Sequence, residues 1–207
     1  MHHKKLVLFD LDGVLLDSRS NMERAWAEVK TRLGVATSFD EYFSHIGLPF
    51  QIILGKLGLA ERGEQIETVF RATSSIYLDL AVFYPDVEST LIAMSKSVLE
   101  LGIVTSKDAT RTNAVLDRLP IEFSTVQTPN VECRGKPAPD HFLLAMEEAG
   151  VQPVQTVYIG DMEVDFKASQ NAGIDYIHAG WGYGKVPDQN CVNVPRISNL
   201  LDLFEVE

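Results

Sequence analysis

The chain has 207 residues, 45% of them hydrophobic and 23% charged, with a formal net charge of −11. This fits one well-packed α/β core with a modest insertion and excludes a disordered or fibrous chain. The acidic surface offers nucleic acid no footprint, two cysteines make no disulfide framework, and no apolar run reaches transmembrane length. A cytoplasmic protein without a membrane or nucleic-acid partner is therefore expected, and an anionic substrate would need a local cation.

Short apolar, β-rich runs recur at Leu6 to Phe9, Val98 to Val104, Phe123 to Val126, Val154 to Ile159 and Ile174 to Ile177. Between most of them lie helical patterns. Asp108 to Leu119 and Asp140 to Gly150 carry apolar residues at three- and four-residue spacing, with Gly150 as a helix stop. Such alternation predicts a doubly wound parallel sheet. It is interrupted after the first strand, because Ser18 to Leu80 shows helix signals only. There Gly34 reads as a helix end, Ser38-x-x-Glu41 as a capping box, and Glu61 to Leu80 as one long amphipathic stretch. The expected division is a core of residues 1–17 and 81–207 around an insert of about four helices over residues 18–80. Tyr84-Pro85 marks the return to the core, and hinges are expected near Leu15 to Ser18 and Phe83 to Pro85.

In an open parallel sheet, ligands bind beyond the carboxyl ends of the strands. Those ends supply Asp10-Leu11-Asp12-Gly13, then Thr105-Ser106, then Gly160-Asp161 with Asp165 four residues on. Lys136-Pro137 falls in a loop ahead of a helix. Four carboxylates, a hydroxyl and a lysine thus gather on one edge.

The segment Phe9-Asp10-Leu11-Asp12-Gly13-Val14-Leu15-Leu16-Asp17-Ser18 resembles the first motif of haloacid dehalogenase-like phosphatases. Ile103 to Lys107, Gly135 to Asp140, and Val157 to Asp161 with Asp165 resemble the second, third and fourth motifs, in the expected order. The helical insert stands where the phosphoglycolate phosphatase and β-phosphoglucomutase branch has a mobile cap, and Ile46-Gly47-Leu48-Pro49-Phe50 is similar to cap segments of that branch. The resemblance implies a Rossmann-like core, a Mg²⁺ cofactor and hydrolysis of a small phosphorylated metabolite through an aspartyl-phosphate. It implies Asp10 as nucleophile and Asp12 as general acid and then base. Gly13, Thr105, Ser106 and Lys136 would contact the phosphoryl group. Asp10, Asp161 and the Asp12 carbonyl would hold the metal, with Asp165 in support. Spacing alone permits other partitions of these ligands.

The chemistry accords with those residue types. A carboxylate approaching a phosphate meets repulsion of about 1 kcal/mol at 4 Å in water and about 4 kcal/mol at an effective dielectric of 20, so cations are required. Mg²⁺ takes oxygen ligands, and Lys136 would supply a fixed positive charge. Asp12, two residues after Asp10 in an extended segment, shares its face.

Several features depart from the pattern or stand outside it. Ser106 replaces a frequent asparagine, and Met162 a usual serine or threonine. Gly160 before Asp161, where β-phosphoglucomutase-like mutases commonly carry glutamate, favours hydrolysis over the alternative of a phosphomutase. Asp12 argues against dehalogenation and against a non-catalytic phosphate or metal binder. Asp161 is also a candidate helix cap, and Asp17 and Ser18 read as turn and cap residues. His2, His3, His45, His141 and His178 form no metal-spaced cluster. Trp181-Gly182-Tyr183-Gly184 does not match a dinucleotide fingerprint, and Lys56 and Arg71 suit a solvated helix face as well as an anion contact.

Overall fold

The computed structural model describes residues 1, 3–188 and 190–206. The chain opens with β1 (Leu6–Phe9), turns through Asp10 to Leu15, and forms a two-residue strand β2 (Leu16–Asp17). Four α-helices follow: α1 (Arg19–Leu33), α2 (Phe39–Phe43), α3 (Phe50–Lys56) and α4 (Gly63–Ile76). Strand β3 (Val82–Phe83) then pairs antiparallel with β2, so the insert enters and leaves through one small ribbon.

The remainder alternates as the sequence predicts: α5 (Val87–Ser95), β4 (Glu100–Val104), α6 (Ala109–Leu116), β5 (Thr125–Gln127), α7 (Asp140–Ala149), β6 (Thr156–Gly160), α8 (Glu163–Ala172), β7 (Asp175–Ala179), β8 (Val192–Val194) and α9 (Asn199–Phe204). The six-stranded sheet has the order β5-β4-β1-β6-β7-β8, and every pairing in it is parallel. The chain winds outward from β1 through β4 to β5, then crosses back to β6 on the other side. The reversal therefore falls at β1, where a crevice opens above the strand ends.

Both faces of the sheet are covered, which is why β1 reads as an unbroken apolar run. Val7 and Phe9 join Leu101, Ile103, Val157 and Ile159 in a core closed by Val87, Leu91 and Met94 of α5 and Leu200 of α9. Leu6 and Leu8 point the other way, onto Phe142, Ala145 and Met146 of α7 and Ala168 of α8. A third apolar cluster lies within the insert. Trp26 stacks on Tyr42 at 4.5 Å, and Phe70 meets Trp26 edge-on at 6.5 Å. Asn21 of α1 donates to the Ser74 and Tyr77 carbonyls at 2.9 and 2.7 Å, tying α1 to the end of α4.

The capping box at Ser38 and Glu41 is present, and Gly34 and Gly150 end α1 and α7 in the left-handed conformation. Other expected boundaries shift. Val98 and Val154 lie outside the strands and are 95% and 65% exposed, because the chain is still turning into β4 and β6. Phe123 precedes β5, and Ile174 precedes β7. Glu61 to Leu80 is three pieces: short 3-10 turns at Ala60–Arg62 and Leu78–Leu80 flank α4. The helix over Asp108 to Leu119 is shorter, with Asp108 as its N-cap accepting from the Arg111 N–H. Among the described residues, no helix is long and apolar enough to cross a membrane.

Candidate active site

Asp10 follows β1 at the reversal point, and its N–H still donates to the Ile159 carbonyl at 2.9 Å. The ladder thus fixes its direction. One carboxylate oxygen, Oδ1, accepts from the Leu11 N–H at 2.8 Å and lies 3.2 Å from Lys136 Nζ. The residue is 4% exposed and borders a cavity of about 60 Å³ between the strand ends and the helical insert.

Lys136 reaches in from the loop before α7. Its ammonium group donates to Asp165 Oδ1 and to the Tyr158 hydroxyl, both at 2.8 Å, and Tyr158 in turn donates to the Val104 carbonyl at 3.0 Å. Asp161 follows β6 and is fully buried. Its Oδ2 accepts from the Tyr183 N–H at 2.7 Å, while Oδ1 is buried with no hydrogen-bond partner among the described residues. Asp165, in the first turn of α8 and also fully buried, accepts from the Met162 N–H through Oδ2 at 3.0 Å.

One oxygen from each of Asp10, Asp161 and Asp165 lies within 4.8 Å of the other two. Three buried carboxylates thus face one ammonium group. Burial pushes Asp10 up to about 7; Lys136 opposes the rise, and Asp165 and Asp12 add to it. Burial, followed by the charges of Asp165 and Asp10, puts Asp161 well above the ordinary carboxylate range. Burial pulls Lys136 down, but Asp10 and Asp165 outweigh it and hold the ammonium form. A surplus of buried negative charge and an orphaned Asp161 oxygen fit a hard divalent cation with oxygen ligands.

The backbone around Asp161 is built to let it in. Gly13 has φ +86°, and a Cβ there would stand 2.3 Å from Asp161 Oδ2. A Cβ on Gly182 would stand 2.7 Å from Asp161 Oδ2, and one on Gly184 would run into the Asp161 carbonyl oxygen, so the Trp181 to Gly184 run wraps this residue. Tyr183 continues outward: its hydroxyl donates to Asp17 Oδ1 at 3.0 Å and accepts from the Ser18 N–H at 2.7 Å. Its ring meets Phe43 of the insert edge-on at 5.1 Å.

Thr105 is 2% exposed and follows β4 beside the same cavity; its Oγ1 accepts from the Lys107 N–H at 3.2 Å, leaving its own proton to donate. Asp12 also borders the cavity, with Oδ1 3.1 Å from Lys107 Nζ. Its carboxylate therefore faces Lys107 and does not join the three buried ones.

Three residues take partners that the sequence alone does not show. The Gly13 N–H donates to the Leu16 carbonyl at 2.9 Å, and the absence of a side chain there admits Asp161. The Ser106 hydroxyl donates to the Gly47 carbonyl of the insert at 3.0 Å, because docking of the insert brings that acceptor over the strand end. Met162, not Asp161, is the N-cap of α8, since Asp161 is drawn back toward Tyr183. His2 lies outside the described residues, and no other histidine belongs to the carboxylate group. Lys107, Arg111 and Tyr183 were not selected from the sequence. Lys107 was legible as the second residue past Thr105, with Arg111 one helical turn beyond it.

Residues 7–179 match the family model described as haloacid dehalogenase-like hydrolase. The chain is 29% identical over 214 residues to a phosphoglycolate phosphatase of Aquifex aeolicus, covering 98% of this chain and 99% of that protein. It is 25% identical over 179 residues to a pyrophosphatase of Oceanobacillus iheyensis, covering 86% and 84%. A solved haloacid dehalogenase-like hydrolase from Streptococcus pneumoniae superposes with a TM-score of 0.87 at 22% identity, over 99% of this chain and all of that one, a likeness of fold.

Proposed function

Since the chain belongs to the haloacid dehalogenase-like hydrolases, we propose that it is a Mg²⁺-dependent phosphatase that hydrolyses a small phosphorylated metabolite through an aspartyl-phosphate on Asp10. The observation that carries this reading is the setting of Asp10, buried at the sheet's reversal point between Lys136 and two further carboxylates, and open to the cavity. Relatives named as phosphoglycolate phosphatase and as pyrophosphatase support a small phosphorylated substrate.

In this reading the phosphoryl group enters beside Thr105, whose hydroxyl donates to one of its oxygens, while Lys136 draws charge away from nucleophile and phosphorus alike. Asp10 attacks phosphorus in line with the ester oxygen, and that oxygen departs with a proton from Asp12. Asp12 then takes a proton from water, the water attacks phosphorus, and the Asp10 carboxylate leaves as inorganic phosphate forms. Asp10 and Asp161 would hold Mg²⁺ with the Asp12 carbonyl, and Asp165 would brace them through Lys136 and the Met162 N–H. The bound cation would offset the repulsion between carboxylate and phosphate. The insert, residues 18–80, would serve as a cap that excludes water from a catalytic core of residues 1–17 and 81–207. A cytoplasmic setting suits this chemistry.

The test is inorganic phosphate release from a panel of phosphorylated metabolites, with Mg²⁺ and with EDTA, for the native chain and Asp10→Asn. Metal-dependent release that disappears in Asp10→Asn supports the reading. Absence of release across the panel from folded, Mg²⁺-binding protein refutes it.

A further inference from the structure

Asp161 is aimed by a partner that also touches the helical insert. Its Oδ2 accepts from the Tyr183 N–H at 2.7 Å, which leaves Oδ1, buried and without a partner among the described residues, free for a cation. The glycines on either side of Tyr183 allow no slack. A Cβ on Gly182 would stand 2.3 Å from the Asp161 Cβ, and one on Gly184 would run into the Asp161 carbonyl oxygen. In packing this close, a shift of the Tyr183 backbone carries the hydrogen bond on the carboxylate with it.

The Tyr183 side chain is gripped from outside the site. Its hydroxyl engages Asp17 and Ser18, where the insert leaves the core, and the Tyr84 hydroxyl, where the insert returns, lies beside it. Its ring packs on the apolar cluster of the insert and meets Phe43, the last residue of α2, edge-on at 5.1 Å. Met162, the next residue after Asp161, packs on the same cluster. A Cβ on Gly47, in the loop between α2 and α3, would lie 3.3 Å from Met162 Cγ and 2.9 Å from Val164 Cγ1. The insert thus leans on both the donor that orients Asp161 and the residue that follows it. Asp10 differs, because its β1 ladder bond and Lys136 both belong to the core.

We propose that Tyr183 is a positioning residue that couples the insert to the cation site. Docking of the insert on its ring steadies its N–H on Asp161 and strengthens cation binding there; a bound cation, by fixing Asp161, strengthens docking by the same factor. This rests on the reading of Asp161 as a Mg²⁺ ligand and gives the insert a hold on that ligand.

The experiment obtains Mg²⁺ dissociation constants from melting-temperature titrations of the native chain, Phe43→Ala, Tyr183→Ala and the double variant, each against its own metal-free melt. Phe43 can ligate no cation, yet Phe43→Ala is expected to weaken Mg²⁺ binding about two- to tenfold, the worth of one aromatic pair. Phe43→Leu, which keeps the insert filled, probes the same contact. With Tyr183→Ala already present, loss of Phe43 should have no further effect, because the link is cut. Tyr183→Phe keeps both ring and N–H and should restore the dependence on Phe43. Equal dissociation constants for the native chain and both Phe43 variants would overturn the coupling. So would a Phe43→Ala effect as large without the Tyr183 ring as with it. A native chain whose melting temperature Mg²⁺ leaves unmoved would instead remove the metal reading on which the coupling stands.

Discussion

The Ser106 hydroxyl donates to the Gly47 carbonyl at 3.0 Å, joining the end of β4 to the loop between α2 and α3. Next to that contact, Gly135 packs so closely on Pro49 that a Cβ there would lie 2.7 Å from the proline ring. Ser106 thus belongs to the seam between core and insert.

Ser106→Ala removes one neutral hydrogen bond, worth about 0.5–1.5 kcal/mol. KM is expected to rise roughly twofold to tenfold with kcat nearly unchanged, since the docked state is weakened and the phosphoryl contacts stay. Steady-state kinetics on the best substrate of the panel checks this. A loss beyond a hundredfold in kcat would place the hydroxyl on the phosphoryl group instead.

Gly13→Ala forces a methyl group against Asp161 Oδ2 in a backbone conformation that alanine disfavours. Phosphate release should fall at least about a hundredfold. Gly34→Ala is the control, because Gly34 also has positive φ but nothing within 4 Å of its Cβ position. That change should cost about 1 kcal/mol, or roughly 2–4 °C in melting temperature, and spare activity.

Asp161→Asn exchanges an orphaned buried carboxylate oxygen for an uncharged amide. In EDTA the variant should melt at or above the native temperature, because an uncompensated buried charge is gone. Addition of Mg²⁺ should raise the native melting temperature, as any ligand of the folded state does, and leave the variant unmoved. Thermal melts at matched Mg²⁺ concentrations test both halves. A Mg²⁺-induced rise in Asp161→Asn equal to the native one would contradict the proposed ligand set.

His141 and His178 are 3% and 1% exposed, and burial pulls both below the ordinary imidazole range. Lys136 lowers His141 further against the opposing pull of Asp140, and Asp165 opposes the shift of His178. The fold favours their neutral forms. Their contribution to stability is therefore present above the unfolded value of about 6.5 and is lost as pH falls through the depressed folded values. Asp10 and Asp161, raised by burial, give the opposite slope in the same window, so the histidine part is read as a difference: between about pH 7 and pH 5 the melting temperature of His141→Leu should gain on the native one.

The strands of the sheet's centre were legible because both their faces are buried, so Leu6-Val7-Leu8-Phe9 is apolar without alternation. Edge strand β8 carries no such mark: Val192 and Asn193 are exposed, and its three residues follow an irregular loop. Strands β2 and β3 are two residues each, too short for any pattern. At the site, residue types and spacing disclosed which groups meet, since strand ends must share an edge. Which partner each group takes was set by packing of the insert and of the Trp181 to Gly184 loop, contacts between segments far apart in sequence. Ser106 found Gly47 and Asp161 found Tyr183 for that reason.

Trp181 donates to the Val14 carbonyl at 2.8 Å, and two residues later Tyr183 engages Asp17 and Ser18. One short loop therefore clamps the exit of the first strand along its whole course from Val14 to Ser18. That course is bound to the core, so a swing of the helices would pivot after Ser18 on the outgoing side, just past the expected Leu15 to Ser18 stretch. Asp12 and the three buried carboxylates of Asp10, Asp161 and Asp165 would then stay on the stator, with the helices as a rotor above them.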